Sequence, residues 1–179
     1  MAVADADAML AKLVLTGPVG AGKTTAIRSL TDQAPVSTEM PLSEGATEDK
    51  STTTVALDFS STVLEDGTTL LVYGVPGQDR FAFMRPIILR DALGVAVVLS
   101  ALDPDVAGQC GYWLREILAD DPTMPVVIGI THTDRLPSFN MSPIRAVVND
   151  LGAEVPVFTF DARDREQAFH LVRALLLIA

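Results

Sequence analysis

With 179 residues, 49% of them hydrophobic and 20% charged, the chain can bury one sizeable core. A formal net charge of −10 and the lack of any Lys/Arg run argue against a nucleic-acid surface or an anionic membrane patch. One cysteine, Cys110, excludes an internal disulfide, and no stretch approaches the ~18 consecutive apolar residues of a membrane span. The start of the chain lacks the basic residues of a signal peptide. Ala2 stands where myristoylation needs glycine, and the C-terminus has no prenylatable cysteine. A cytoplasmic chain with a flexible tail over residues 1–9 is expected.

In chain order, the apolar run at residues 12–16 predicts a buried strand. Residues 17–24 read GPVGAGKT, the G-x-x-x-x-G-K-[ST] pattern, and a helix is predicted from there to about residue 32. Glycines in such a loop let the backbone wrap a phosphate, with the N–H groups of Val19, Gly20, Ala21, Gly22, Lys23, Thr24 and Thr25 turned towards it. Lys23 can reach the β- and γ-phosphates, and the Thr24 hydroxyl can ligate Mg²⁺. A chance glycine-rich turn would lack the strand before and the helix after, so the chain is expected to bind a nucleoside triphosphate.

Residues 34–51 hold Pro35, Pro41 and Gly45 with no periodicity, which predicts a long functional loop. Residues 55–64 and 68–73 flank Glu65-Asp66-Gly67 as a hairpin. Strands follow at 93–99, 124–130 and 155–160, with an amphipathic helix at 106–119 carrying Trp113. Ser142-Pro143 predicts the cap and first turn of a helix to Leu151, and Asp164 with Gln167 resembles a capping box for a helix to about Ile178. The expected architecture is α/β, a single domain over 1–179. It has a six-stranded, mostly parallel sheet, one antiparallel strand from the hairpin and helices on both faces.

Over residues 10–179 the chain resembles a small Ras-like GTPase, a P-loop NTPase with a G domain. The match is best to the prokaryotic MglA-like group, whose members accompany roadblock-type proteins. Beside the P-loop, the resemblance rests on TTVALDF at 53–59 as the end of switch I and VPGQDRF at 75–81 as switch II, in the family's order. It implies that Thr54, with Thr53 as its rival, ligates Mg²⁺ and senses the γ-phosphate. It also implies that the Gly77 N–H contacts that phosphate and that Gln78 orients the attacking water, so Gln78 and Lys23 would be catalytic.

Two positions depart from the pattern at the phosphate end. Val19 stands where the Ras group has a small glycine, which implies slow hydrolysis. Gly74 stands where the family has an aspartate that holds Mg²⁺ through water; Asp58 is the candidate replacement, and weaker Mg²⁺ binding is implied.

At the base end, Thr131-His132-Thr133-Asp134 stands for Asn-Lys-x-Asp, and Asp161-Ala162-Arg163 for Ser-Ala-Lys. Asp134 would accept bonds from guanine N1–H and N2–H₂, His132 would stack on the base, and the Ala162 N–H would approach O6. Asp161 and Arg163 are expected as a solvated pair. Phe81, Phe83 and Met84 are either effector surface or core. Trp113 is expected to pack, His170 to be solvated and Cys110 to have no chemistry.

The implied function is a switch that binds and hydrolyses GTP with Mg²⁺ and signals through a roadblock/LC7-type partner. It would be recruited to a membrane-associated complex without inserting into the membrane, and would not bind nucleic acid. Arg80 and Arg85 are the candidates for an arginine finger. Two alternatives stay open: a nucleotide-dependent binding module without turnover, favoured by Gly74 and Val19, and a P-loop ATPase or kinase. Residues 34–50 hold no arginine for the lid that the last would need.

Overall fold

Successive residues of the central strands are buried on opposite faces, as in a sheet covered by helices on each side. Leu13 and Leu15 sit in one apolar cluster with Ile27, Leu30, Val98 and Leu171, whereas Val14 sits in the other with Val97, Leu99, Leu114 and Ile144. The computed structural model describes residues 10–31, 34–42, 53–76 and 85–179, the side chains of 37–42 and 53–56 excepted. The expected tail at 1–9 lies outside the described residues.

The elements are β1 (Leu10–Thr16), α1 (Lys23–Thr31), β2 (Val36–Leu42), β3 (Thr53–Val63), β4 (Thr69–Gly74) and α2 (Arg85–Leu89), then β5 (Gly94–Ser100), α3 (Val106–Asp120), β6 (Val126–Thr131), α4 (Ser142–Asp150), β7 (Val157–Thr159) and α5 (Arg165–Ile178). They build one seven-stranded sheet in the order β2-β3-β4-β1-β5-β6-β7. Neighbours from β4 to β7 run parallel, and only β3 is antiparallel to both its neighbours. The α/β fold class, the reversed hairpin strand and the helices on both faces are as the sequence predicts.

A seventh strand joins the expected six. The sequence predicts a loop over 34–51, yet residues 36–42 pair with β3 from Val36↔Phe59 to Leu42↔Thr53. This strand lies at the sheet edge, where backbone bonds to one neighbour suffice and Pro41, which has no N–H, is tolerated. Edge pairing of that kind leaves little compositional signal. The hairpin forms as expected around Gly67, whose φ of +85° demands glycine.

Helix α1 buries Ala26, Ile27, Leu30 and Thr31, and α5 buries Ala168, Leu171, Val172 and Leu175, one stripe of each helix. Each fully buried aliphatic side chain contributes about 1.5–3 kcal/mol. The caps differ in part from expectation. Ser142 makes no side-chain cap; instead its N–H donates to Asn140 Oδ1 at 2.9 Å, and Pro143 keeps its first-turn place. Asp164 accepts from the Gln167 N–H at 3.0 Å, but the Gln167 amide oxygen reaches back to the Asp161 N–H at 2.9 Å rather than to Asp164. That bond ties the loop after β7 to α5.

Candidate nucleotide-binding site

In an open parallel sheet, ligands bind beyond the C-terminal strand ends where connections diverge, and β1 lies at that point, between β4 and β5. The P-loop follows β1 with Gly17, Gly20 and Gly22 at φ of +134°, +80° and +98°. A Cβ on Gly17 would lie 2.1 Å from the Val98 carbonyl oxygen of β5, so only glycine lets the loop leave the sheet here. Lys23 opens α1, and its ammonium donates to the carbonyls of Gly17 (2.8 Å) and Pro18 (2.7 Å). Burial pushes its pKa down to about 8, against the attraction of Asp58.

The next residue of α1 brings a hydroxyl to a carboxylate: Thr24 Oγ1 donates to Asp58 Oδ2. Asp58 is the direct cross-strand partner of Gly74. A Cβ at Gly74 would lie 2.7 Å from Ile27 Cδ1 and 3.0 Å from Asp58 Cβ, so a side chain there would displace the end of Ile27 and crowd Asp58. The carboxylate that position 74 lacks stands on the adjacent strand. A hydroxyl and a carboxylate are hard oxygen donors of the kind Mg²⁺ takes beside water and phosphate, so these residues fit that ion. Thr53 and Thr54 lie on β3 with their side chains outside the description. Gly77, Gln78, Arg80, Phe81, Phe83 and Met84 lie outside the described residues.

The loops expected to hold the base are bonded to the P-loop and its helix. Thr131, 1% exposed at the end of β6, donates its hydroxyl to the Ala21 carbonyl at 2.8 Å. Ser29 of α1 donates to the Ala162 carbonyl at 2.7 Å. His132 takes the left-handed conformation (φ +60°), with Nδ1 2.9 Å from Ser100 Oγ and 3.1 Å from Thr131 Oγ1. A pocket of about 410 Å³ opens between Pro18–Ala21 of the P-loop and Ser100, Asp103, His132 and Arg135. The sequence motif named Thr131 without assigning it a task. The signal was there, since a polar residue ending a buried strand must find a partner.

Asp134 sits in a 3₁₀ turn after β6, and Asp161 and Arg163 follow β7. Arg163 does more than pair with Asp161: Nη2 lies 2.7 Å from Asp161 Oδ2 and 3.0 Å from Asp134 Oδ2, and Nε donates to Asp161 Oδ1 at 2.8 Å. The bonds from Arg163 hold the Asp161 carboxyl below its usual range, and those from Asp161 and Asp134 raise the guanidinium further. The structure thus brings together the P-loop, Asp58, His132, Asp134, Asp161, Ala162 and Arg163.

Arg85 is elsewhere. It is buried at the start of α2, ion-paired with Glu116 and with Asp120 (3.9 Å) of α3, its guanidinium 5.6 Å from the Trp113 ring centre. An arginine so committed is no finger. Trp113 packs in the core as expected, and Cys110 is buried, its thiol pushed up to about 11 by burial.

Residues 12–134, more than half of the chain, match the family described as "Ras of Complex, Roc, domain of DAPkinase". The chain is 28% identical to the Ras-related protein Rab-5B of Plasmodium falciparum (isolate 3D7) over 130 residues, 70% of this chain and 57% of that protein. It is 36% identical to the Uncharacterized protein MJ1339 of Methanocaldococcus jannaschii over 90 residues, 50% of this chain and 51% of that protein. The chain thus spans about half the length of the curated relatives it matches. On the strength of the match across the P-loop, both strands of the hairpin and the Asp134 turn, the chain belongs to the Roc family of Ras-like GTPase domains.

Proposed function

We propose that the chain is a single-domain switch of the MglA-like kind that binds GTP with Mg²⁺, hydrolyses it slowly and is read by a roadblock/LC7-type partner in the cytoplasm. One observation carries the nucleotide reading. The loop that would hold phosphate is hydrogen-bonded, through Thr131 to Ala21 and Ser29 to Ala162, to the two loops that would hold the base. Preorganisation of that kind fixes both ends of a nucleotide before it arrives.

On binding, Lys23 exchanges its bonds to the Gly17 and Pro18 carbonyls for the β- and γ-phosphates, and the backbone N–H groups from Val19 to Thr25 surround the chain of oxygens. Asp134 accepts from guanine N1–H and N2–H₂, while the Ala162 N–H meets O6. Thr24, with Thr54 from switch I, would hold Mg²⁺, and Asp58 would supply the carboxylate that position 74 lacks. The ion neutralises charge on the phosphate oxygens when bound. Gly77 and Gln78 contact the γ-phosphate and orient water. Val19, 72% exposed on the P-loop, crowds that water and keeps turnover slow. With Arg85 committed to α3, acceleration comes from a partner. No helix among the described residues is long and apolar enough to cross a membrane.

Competition against a fluorescent GDP analogue tests the nucleotide class: GTP displaces it at far lower concentration than ATP, and equal displacement overturns the GTP reading. Phosphate release tests turnover. Gln78→Leu lowers the rate by about tenfold or more, within the usual range for a positioned water. The exposed Val19 favours a second reading, a binding module without hydrolysis. Near-zero release from both proteins, with a roadblock partner present, selects it.

Asp58→Asn isolates the relocated carboxylate. Residues that hold a metal's outer ligands contribute about 10–100-fold to its affinity. The Mg²⁺ concentration that half-suppresses release of bound fluorescent GDP therefore rises at least about tenfold in the variant. Superimposable Mg²⁺ titrations for the two proteins would exclude the role.

A further inference from the structure

We infer that Arg163 sets how strictly the site selects guanine, by standing in for the base at Asp134 whenever the matching donors are absent. The inference rests on the GTP reading above. A guanidinium offers a carboxylate a planar row of N–H donors, as guanine does with N1–H and N2–H₂. That surrogate is in place in the structure, with Arg163 Nη2 3.0 Å from Asp134 Oδ2.

Its perch is separate from its target. Nε and Nη2 of Arg163 both bond Asp161, whose own N–H is held by Gln167 of α5. The guanidinium can therefore leave Asp134 and stay in the loop, then return. The exchange takes place in water: the side chains of Arg163 and Asp134 are 66% and 53% exposed. An ion pair so placed is weak enough for guanine to displace it.

The consequence falls on discrimination. A site that hydrogen-bonds a substrate group rejects an analogue lacking that group because its own polar partner is left unpaired. Here an analogue that fails to satisfy Asp134 does not leave it alone, because Arg163 takes the vacant oxygen. The rejection of inosine, which lacks the N2 amine, and of adenine, which lacks both donors, is softened accordingly.

The test compares GTP, ITP and ATP as competitors for a fluorescent GDP analogue on wild type, Arg163→Gln and Arg163→Lys, with melting curves to verify folding. The ITP/GTP and ATP/GTP ratios of dissociation constants rise about two- to fivefold in Arg163→Gln, the span of an exposed ion pair. Lysine, a point charge without the fork, gives intermediate ratios. Added NaCl raises the wild-type ratios by screening Arg163 from Asp134, and leaves those of Arg163→Gln flat. Unchanged or lower ratios in a folded Arg163→Gln, or loss of GTP binding by that variant alone, overturn the inference. Failure of wild type to bind any of the three nucleotides overturns the GTP reading instead.

Discussion

Gly17→Ala abolishes nucleotide binding and destabilises the whole domain. The new methyl would meet the Val98 carbonyl oxygen at 2.1 Å, and the backbone at φ +134° is one that L side chains rarely adopt. Val98 cannot retreat, because it belongs to β5, paired on one side with β1 and on the other with β6. Overpacking and backbone strain cost about 1–3 kcal/mol each, so a loss of about 2–6 kcal/mol follows. At this chain length that lowers the melting temperature by about 4–24 °C. Gly20→Ala is the internal contrast: its Cβ would meet nothing within 4 Å, and only the φ of +80° opposes it, at about 1 kcal/mol. Melts of the two variants that coincide with wild type would refute the account of the loop.

Lys23→Met separates binding from stability, with opposite signs. The ammonium is the cation that can move from two loop carbonyls to the β- and γ-phosphates, and its loss weakens GTP by about 100-fold or more, the scale of a buried charge-assisted contact. The same burial that keeps Lys23 in place lowers its pKa from 10.5 to about 8. Folding must therefore favour the neutral amine relative to the unfolded chain. That penalty, about 3 kcal/mol, is complete below pH 8 and is relieved as pH rises from 8 to 10.5. Methionine removes it along with the two hydrogen bonds, so nucleotide-free Lys23→Met melts at or above the wild-type temperature at neutral pH.

Bound polyphosphate favours the ammonium, so the affinity is level below pH 8 in wild type. Above it binding must take up a proton, and affinity falls by up to about tenfold per pH unit until the bound-state pKa is reached. Calorimetry in buffers of different ionisation enthalpy reads that uptake directly. If the Lys23→Met protein binds GTP as wild type does, or if the wild-type profile is flat from about pH 7 to 9.5, Lys23 does not meet phosphate.

Much of this molecule was legible from local sequence because the controlling physics is local. A strand's two-residue alternation, the spacing of apolar residues on α1 and α5, and the glycine-lysine pattern of the P-loop all act over a few neighbours. They determined the fold class, the place of the P-loop and the presence of Thr24, Asp134 and Ala162 in segments that follow strand ends, which a parallel sheet gathers on one side. The tertiary structure decided what depends on register between distant segments. Only the β3–β4 pairing shows that Asp58 faces Gly74, and only the packing shows that a side chain at 74 would press on Ile27 and Asp58. Only the approach of β6 to the P-loop gives Thr131 its acceptor. Packing separates two arginines that the sequence offered for the site: Arg85, a finger candidate, is buried against α3, while Arg163, expected to pair with Asp161, lies across two carboxylates. Hydrogen bonds and ion pairs between segments tens of residues apart leave no period in the chain, so composition and spacing cannot reveal them.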